Sequence, residues 1–541
     1  MDTVTTVLSL LVAIVVSGVA ARSTRLPLPL VQVALGAVIA LSAIPTVQLQ
    51  PELFFLLFLP PLLFLDGWRI PKDDLLRDRA TVLELAIGLV VLTVVGLGFL
   101  VHWLIPAMPL PVAFALAAVI SPTDPIAVSA IASRAPIPKR LMHILEGESL
   151  LNDASGLVCM RFAVAAMMTG AFSLSQAFLT FAWLAAVGVA VGVLVTFGVS
   201  RAQRWVSRRV GEDTSAQIVV SLLIPFGAYT LAEHFHASGI LAAVAAGVAM
   251  SFTEQTGRAL AVTRVRRAGV WETVQFVANG LIFVLLGEQM PGLLLRADET
   301  LRATGHTEWW WLAVYVLVIS VALGVTRFIW VWTSLRFTIF RAARRGEAPP
   351  QVRRRLVVAM SLAGVRGAVT LAGVLTLPLA LADGSPFPAR DLAIFLAAGV
   401  IVVSLLVASV GLPRTLKGLD LPPEPSRLQE LDAARVAAAE AAIRAVEAEH
   451  HRLAENRPDA DLYAEASARI MQSYRDRILE RSPEAAEAHR RFDQIERQLR
   501  LAGLRAERKE IFRRARAREL PEEHARRLVR ELDLLETRYG A

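Results

Sequence analysis

The sequence holds a single cysteine in 541 residues, Cys159, and it lies inside an apolar run. A disulfide framework is thereby excluded. Charge is also scarce: Asp, Glu, Lys and Arg make up 19% of the chain, hydrophobic residues 55%, and mean hydropathy is +0.52. A soluble chain of this length divides into several domains and carries more charge. No basic region precedes the first apolar run, so residues 4–20 read as a membrane span and not as a cleaved signal. The histidines, among them His102, His234 and His236, are scattered near span ends with no nucleophile–base set, which argues against an enzyme.

The apolar residues come in blocks, and a helix needs about 20 of them to cross a bilayer. Thirteen segments qualify, near 3–20, 27–45, 51–68, 80–104, 110–131, 144–168, 175–199, 215–233, 238–254, 270–290, 309–338, 356–381 and 391–412. With the N-terminus outside, the six inner loops hold 23 Lys and Arg and the six outer loops hold 3. That asymmetry is the positive-inside pattern, and Trp309, Trp310 and Trp311 sit where an outer aromatic belt belongs. Spans one to six and eight to thirteen form two halves of opposite orientation, with span seven as connector. The fifth span of each half is interrupted, by Pro122-Thr123-Asp124-Pro125 and by Gly364-Val365-Arg366-Gly367. Matched interruptions in inverted halves point to a transporter with its site near the midplane.

The expected fold class is therefore an all-α polytopic membrane protein of about thirteen transmembrane helices. They form two inverted six-helix repeats with helices five and twelve broken, followed by a C-terminal cytoplasmic helical tail. The domains are a transmembrane unit at 1–415, a linker at 416–427 containing Leu421-Pro422-Pro423-Glu424-Pro425, and the tail at 428–541. Residues 420–541 carry 24 basic and 25 acidic side chains, so the formal net charge of +8 resides in the membrane part. It is a topology signal and no reason to invoke nucleic acid. In the tail, three or four amphipathic helices are punctuated by Pro458, Pro483 and Pro521.

A charge inside a span is costly and marks a cavity or a partner. Such residues are Asp66, Glu84, Asp124, Glu146, Glu148, Asp153, Arg161, Glu272, Arg327 and Arg366; of these, Glu84, Glu146 and Arg327 lie near span ends and can reach the interface. Two prolines around Asp124 free backbone carbonyls that, with Thr123, make a set of hard oxygen ligands. Ser149 and Asp153 are i,i+4 on a helix, as are Glu148 and Asn152, which gives two adjacent polar stripes. Asp153 lies about two turns inside its span, too deep to be explained by the helix dipole. Arg366, bracketed by glycines some ten residues into its span, needs a carboxylate, and Glu148 is the first choice.

These segments resemble the monovalent cation:proton antiporter-1 family, the sodium/proton exchangers, over roughly residues 1–415. The resemblance rests on Phe58-Leu59-Pro60-Pro61-Leu62-Leu63-Phe64 with Asp66 and Gly67, on Thr123-Asp124-Pro125, on Glu148-Ser149-Leu150-Leu151-Asn152-Asp153, on Phe276, Asn279, Phe283 and Gly287, and on Gly364-Val365-Arg366-Gly367-Ala368. It implies a cation, Na⁺ in the first instance, held by Asp153, Asp124, Ser149 and Thr123, with Asp66 in the outer shell, Asn152 beside the site, and Glu148 and Arg366 as a structural ion pair. It further implies a homodimer in the cell membrane, working by an elevator-like movement. Its partners are monovalent cations, protons and lipid, and it needs no cofactor. The neutral Asn152 stands where electrogenic relatives carry a second acid, which suggests electroneutral exchange. A K⁺/H⁺ antiporter of the same fold and a cation channel are the alternatives, although no continuous pore or repeated filter sequence is evident.

Overall fold

The computed structural model describes residues 2–24, 26–41, 51–70, 82–125, 128, 139–169, 174–254, 260–303, 308–344, 354–381, 383–417, 425–454, 460–479 and 486–540. By contacts it divides into two compact units, Met1–Leu419 and Asp420–Ala541. Every regular element among the described residues is helical.

The first unit begins with α1 (Asp2–Thr24), α2 (Leu28–Ala40) and α3 (Pro51–Arg69). A π-helical turn, Glu84–Leu89, leads into α4 (Val90–Leu104), and α5 (Leu110–Ile120) follows. Then come α6 (Lys139–Thr169), α7 (Leu174–Val210), α8 (Thr214–His234), α9 (Gly239–Glu254), α10 (Ala261–Ala303) and α11 (Trp310–Arg344). Two short helices, α12 (Arg354–Leu362) and α13 (Ala368–Leu375), precede α14 (Arg390–Leu416). Among the described residues, eight helices are long and apolar enough to cross a membrane, and α2, α5 and α9 are shorter apolar helices. Several helices outrun the apolar stretches within them. The segment expected at 270–290 is the middle of the 43-residue α10, because backbone hydrogen bonding continues past the hydrocarbon boundary.

The helices of this unit pack as two groups. Around α5 and α14 gather α4, α6, α11 and α12; α9 gathers α3, α7 and α8, and α10 gathers α1, α2 and α8 and also lies against α14, where the two groups meet. Helix α5 is almost wholly buried, and its Ala-rich sequence lets neighbours approach closely. In the second group glycine does the same. A Cβ on Gly287 of α10 would lie 1.9 Å from the Val33 carbonyl oxygen of α2, and one on Gly247 of α9 would lie 2.0 Å from that of Phe64 in α3. Backbone cannot yield as a side chain can, so Gly287→Ala is expected to push α2 from α10 at a cost of about 1–3 kcal/mol. Thermal unfolding checks this against Gly269→Ala, which meets nothing within 4 Å and should leave the melting temperature unchanged or raised.

The second unit consists of two helical hairpins, α15 (Pro425–Ala454) with α16 (Ala460–Leu479) and α17 (Ala486–Arg516) with α18 (Glu522–Gly540). Arg508 joins α17 to α18 through Asp533 at 2.7 Å and through Glu536. The expected linker falls largely on 418–424, outside the described residues.

Candidate functional site

Helix α5 stops at Ile120. Ser121 through Asp124 are not helical, as Pro122 and Pro125 require. The twelfth expected span is likewise broken, since residues 363–367 separate α12 from α13. The two interruptions meet: the Asp124 amide donates to the Val365 carbonyl at 2.7 Å. Arg366 donates from Nε to the Ile120 carbonyl at 2.8 Å and also to that of Gly364, so its positive charge sits at the carbonyl end of α5. Asp124 lies against Gly367, where a Cβ would fall 1.8 Å from its Oδ2, and so its carboxylate sits at the amide end of α13. Each charge opposes the dipole end beside it.

Helix α6 passes this crossing with Glu148, Ser149, Asn152 and Asp153 all buried, at 5% exposure or less. Asn152 donates to the Thr123 hydroxyl at 3.0 Å, and that hydroxyl donates to Glu148 at 3.3 Å. Asn152 therefore touches Thr123 and is not among the residues that line the cavity.

The cavity measures about 20 Å³, room for one water or one bare monovalent ion. Its polar lining is Asp66 of α3, Thr123, Asp124, Ser149, Asp153, Asn279 of α10 and Thr370 of α13. Both helix groups contribute, so the cavity lies on the seam between them. Among the described residues no three His, Cys, Asp or Glu side chains converge tightly enough for a metal cluster. A cation here would be met by a mixed set of carboxylate and hydroxyl oxygens.

One expectation is corrected. Glu148 does not pair with Arg366; it takes two hydrogen bonds from Arg327 of α11, at 2.5 and 2.8 Å, and Arg327 Nε also donates to the Met360 carbonyl at 3.1 Å. Arg366 is committed to backbone carbonyls at the helix break, whereas Arg327 is 2% exposed and faces α6. Arg327 is near the end of its expected span, but the face of α11 it occupies turns it inward to Glu148 and not to the interface. Gly364 lies between the two arginines, where a Cβ would come within 2.6 Å of Arg327 Cδ and 3.2 Å of an Arg366 terminal nitrogen.

Other charged residues fall elsewhere. Arg161 pairs with Glu233 of α8 at 3.0 Å, both about two-fifths exposed. Glu84 accepts from Ser334 at 2.9 Å, and Glu272 is exposed. Thr370 carries no sequence signal because hydroxyls are unremarkable in apolar helices, and Asn279 is marked only by its place in the pattern of Phe276, Phe283 and Gly287.

Two interrupted helices crossing beside buried carboxylates define a secondary transporter of the membrane. Residues 7–418 match the family model for the transmembrane sodium/hydrogen exchanger, so the chain belongs to the sodium/hydrogen exchanger family. It is 42% identical over 539 residues to the uncharacterized Na⁺/H⁺ exchanger YjcE of Escherichia coli strain K12, covering 98% of both chains and thus the tail as well. It is 45% identical over 395 residues to the sodium, potassium, lithium and rubidium/H⁺ antiporter of Bacillus pumilus strain SAFR-032, covering 72% of this chain and 57% of that one. Among solved structures, the sodium proton antiporter MjNhaP1 of Methanocaldococcus jannaschii at pH 8 matches with a TM-score of 0.60. The match has 19% identity and covers 77% of this chain and 99% of that one, a likeness of fold.

Proposed function

We propose that this chain is an antiporter that exchanges Na⁺, or another monovalent cation, for H⁺ across the cell membrane. It is a homodimer of thirteen-span subunits in two inverted repeats, N-terminus outside and tail in the cytoplasm, without a cofactor. The observation that carries the reading is the single-ion cavity on the seam, where Asp66, Asp124 and Asp153 stand with the Thr123 and Ser149 hydroxyls.

Asp153 takes either a proton or the cation, the latter shared with Asp124, Ser149 and Thr123. Asp66 supports from the opposite helix group. Either occupant brings the site closer to neutrality, and the empty site is costly to carry through hydrocarbon. Movement of one helix group against the other then exposes the occupied cavity to alternate sides, and exchange is obligatory. Asn152 adds no second titrating acid beside Asp153, so one proton moves per cation.

A broader cation range is a second reading. It is favoured by the relative at 45% identity, whose name includes potassium, lithium and rubidium. Everted vesicles with a pH-sensitive dye distinguish the two: Na⁺, Li⁺, K⁺ and Rb⁺ are added in turn, and dequenching by Na⁺ or Li⁺ alone supports the narrower one. In proteoliposomes, exchange is expected to leave a voltage-sensitive dye unchanged. A membrane potential built by the cation gradient would overturn the one-for-one stoichiometry.

A further inference from the structure

A second cavity, about 320 Å³ in volume, opens between α7 and α9, with Gln217 of α8 and Arg267 of α10 completing its lining, and it shares no lining residue with the carboxylate cavity. Its lining combines two chemistries: the apolar Phe197, Met250 and Phe252, and the guanidinium groups of Arg204, Arg208 and Arg267. Phe197 and Phe252 are 45% and 50% exposed, as side chains facing acyl chains would be. Two acids also line the cavity, Glu212 and Glu254. Glu254 is already engaged, accepting from Arg267 and, at 2.7 Å, from the Trp68 indole nitrogen. Arg267 is 5% exposed and lies over the Trp68 ring, 5.2 Å from its centre. This internal pair leaves Arg204 and Arg208 against Glu212, a surplus of one positive charge.

Arg204 and Arg208 are i,i+4 on α7 and so share a face. Arg204 donates from Nε to the Ser200 carbonyl at 3.1 Å, which holds its stem in place. Trp205 is 56% exposed with Arg209 stacked 4.2 Å from its ring centre, the amphipathic pairing of a membrane–water boundary. The basic residues that the sequence clusters here, Arg201, Arg204, Arg208 and Arg209 and then Arg264, Arg266 and Arg267, lie on α7 and α10.

We propose that this cavity binds the phosphate of an anionic phospholipid, with the headgroup on Arg204 and Arg208 and an acyl chain along Phe197 and Phe252. A guanidinium fork matches two phosphate oxygens at once, and basic pockets between helices at the cytoplasmic face suit anionic headgroups. A singly charged phosphodiester balances the surplus charge. Such a lipid bridges α7 and α9, two helices of the group that packs around α9 and α10. Only the choice of the inner leaflet rests on the orientation proposed above.

The test is thermal unfolding of the full chain in phosphatidylcholine nanodiscs, with and without phosphatidylglycerol. A ligand of the folded state raises the melting temperature, here by roughly 2–5 °C. Arg204→Gln/Arg208→Gln is expected to lose more than half of that rise, and the single variant Arg208→Gln, at an exposed position, part of it. Arg266→Gln/Arg355→Gln, at exposed basic positions outside the cavity, should keep it. An equal loss in this control would mean diffuse attraction to a basic face and would overturn the site. Inorganic phosphate added to pure phosphatidylcholine discs is expected to do nothing. If it stabilises the wild type as much as the lipid does, and the Arg204/Arg208 double variant removes that effect, a soluble anion is the ligand and the lipid assignment fails.

Discussion

Asp153→Asn is expected to abolish cation-driven proton movement, lowering the initial rate by two orders of magnitude or more, roughly the loss when the one group that carries the substrate is removed. The protein should still fold and insert. Asn has the shape of Asp, and it removes one of three carboxylates lining a cavity of about 20 Å³, where like charges oppose one another. Dye dequenching measures the rate, and a melting curve on the same preparation shows whether the fold survives. Retained Na⁺-driven proton flux in this variant would sink the assignment of Asp153. Loss of flux together with a collapsed melting curve would instead make Asp153 a structural residue.

The second large effect is one of stability. Arg327→Met leaves Glu148, at 0% exposure, without the guanidinium that gives it two hydrogen bonds. Removing one member of a buried ion pair typically costs about 3–5 kcal/mol, because the remaining charge stays buried. The double variant Glu148→Gln/Arg327→Met has no stranded charge and should recover most of that loss. The corresponding pair of variants at Arg366 separates the two arginines. Arg366→Met should also destabilise, because the Ile120 and Gly364 carbonyls lose their donor, yet Glu148→Gln should not rescue it. Rescue of Arg366→Met and not of Arg327→Met would restore the pairing read from the sequence.

The site residues were largely legible because intramembrane charge is rare. Asp66, Thr123, Asp124, Ser149 and Asp153 stand out against apolar surroundings, and the structure brings all five to one cavity. Asn152, expected beside them, is absent from the cavity lining and hydrogen-bonds to the Thr123 hydroxyl. Both helix breaks could be read from Pro and Gly, since those residues act locally on the backbone. The contact between the breaks, from Asp124 to Val365, could not be read, because it joins segments some 240 residues apart.

The sequence by itself determined that this is a helical membrane protein with two interrupted spans, basic segments between its apolar runs and acids within them. Each of these follows from local hydropathy, backbone chemistry or a count of charges. Only the tertiary structure decided which arginine neutralises Glu148, that Asn279 and Thr370 join the cavity, and that the cavity lies on a seam between two helix groups. Such pairings depend on which face each helix turns to its neighbours. A straight helix carries many polar and apolar residues whose partners are chosen by packing across long separations in the chain, and periodicity along one segment holds no record of that choice.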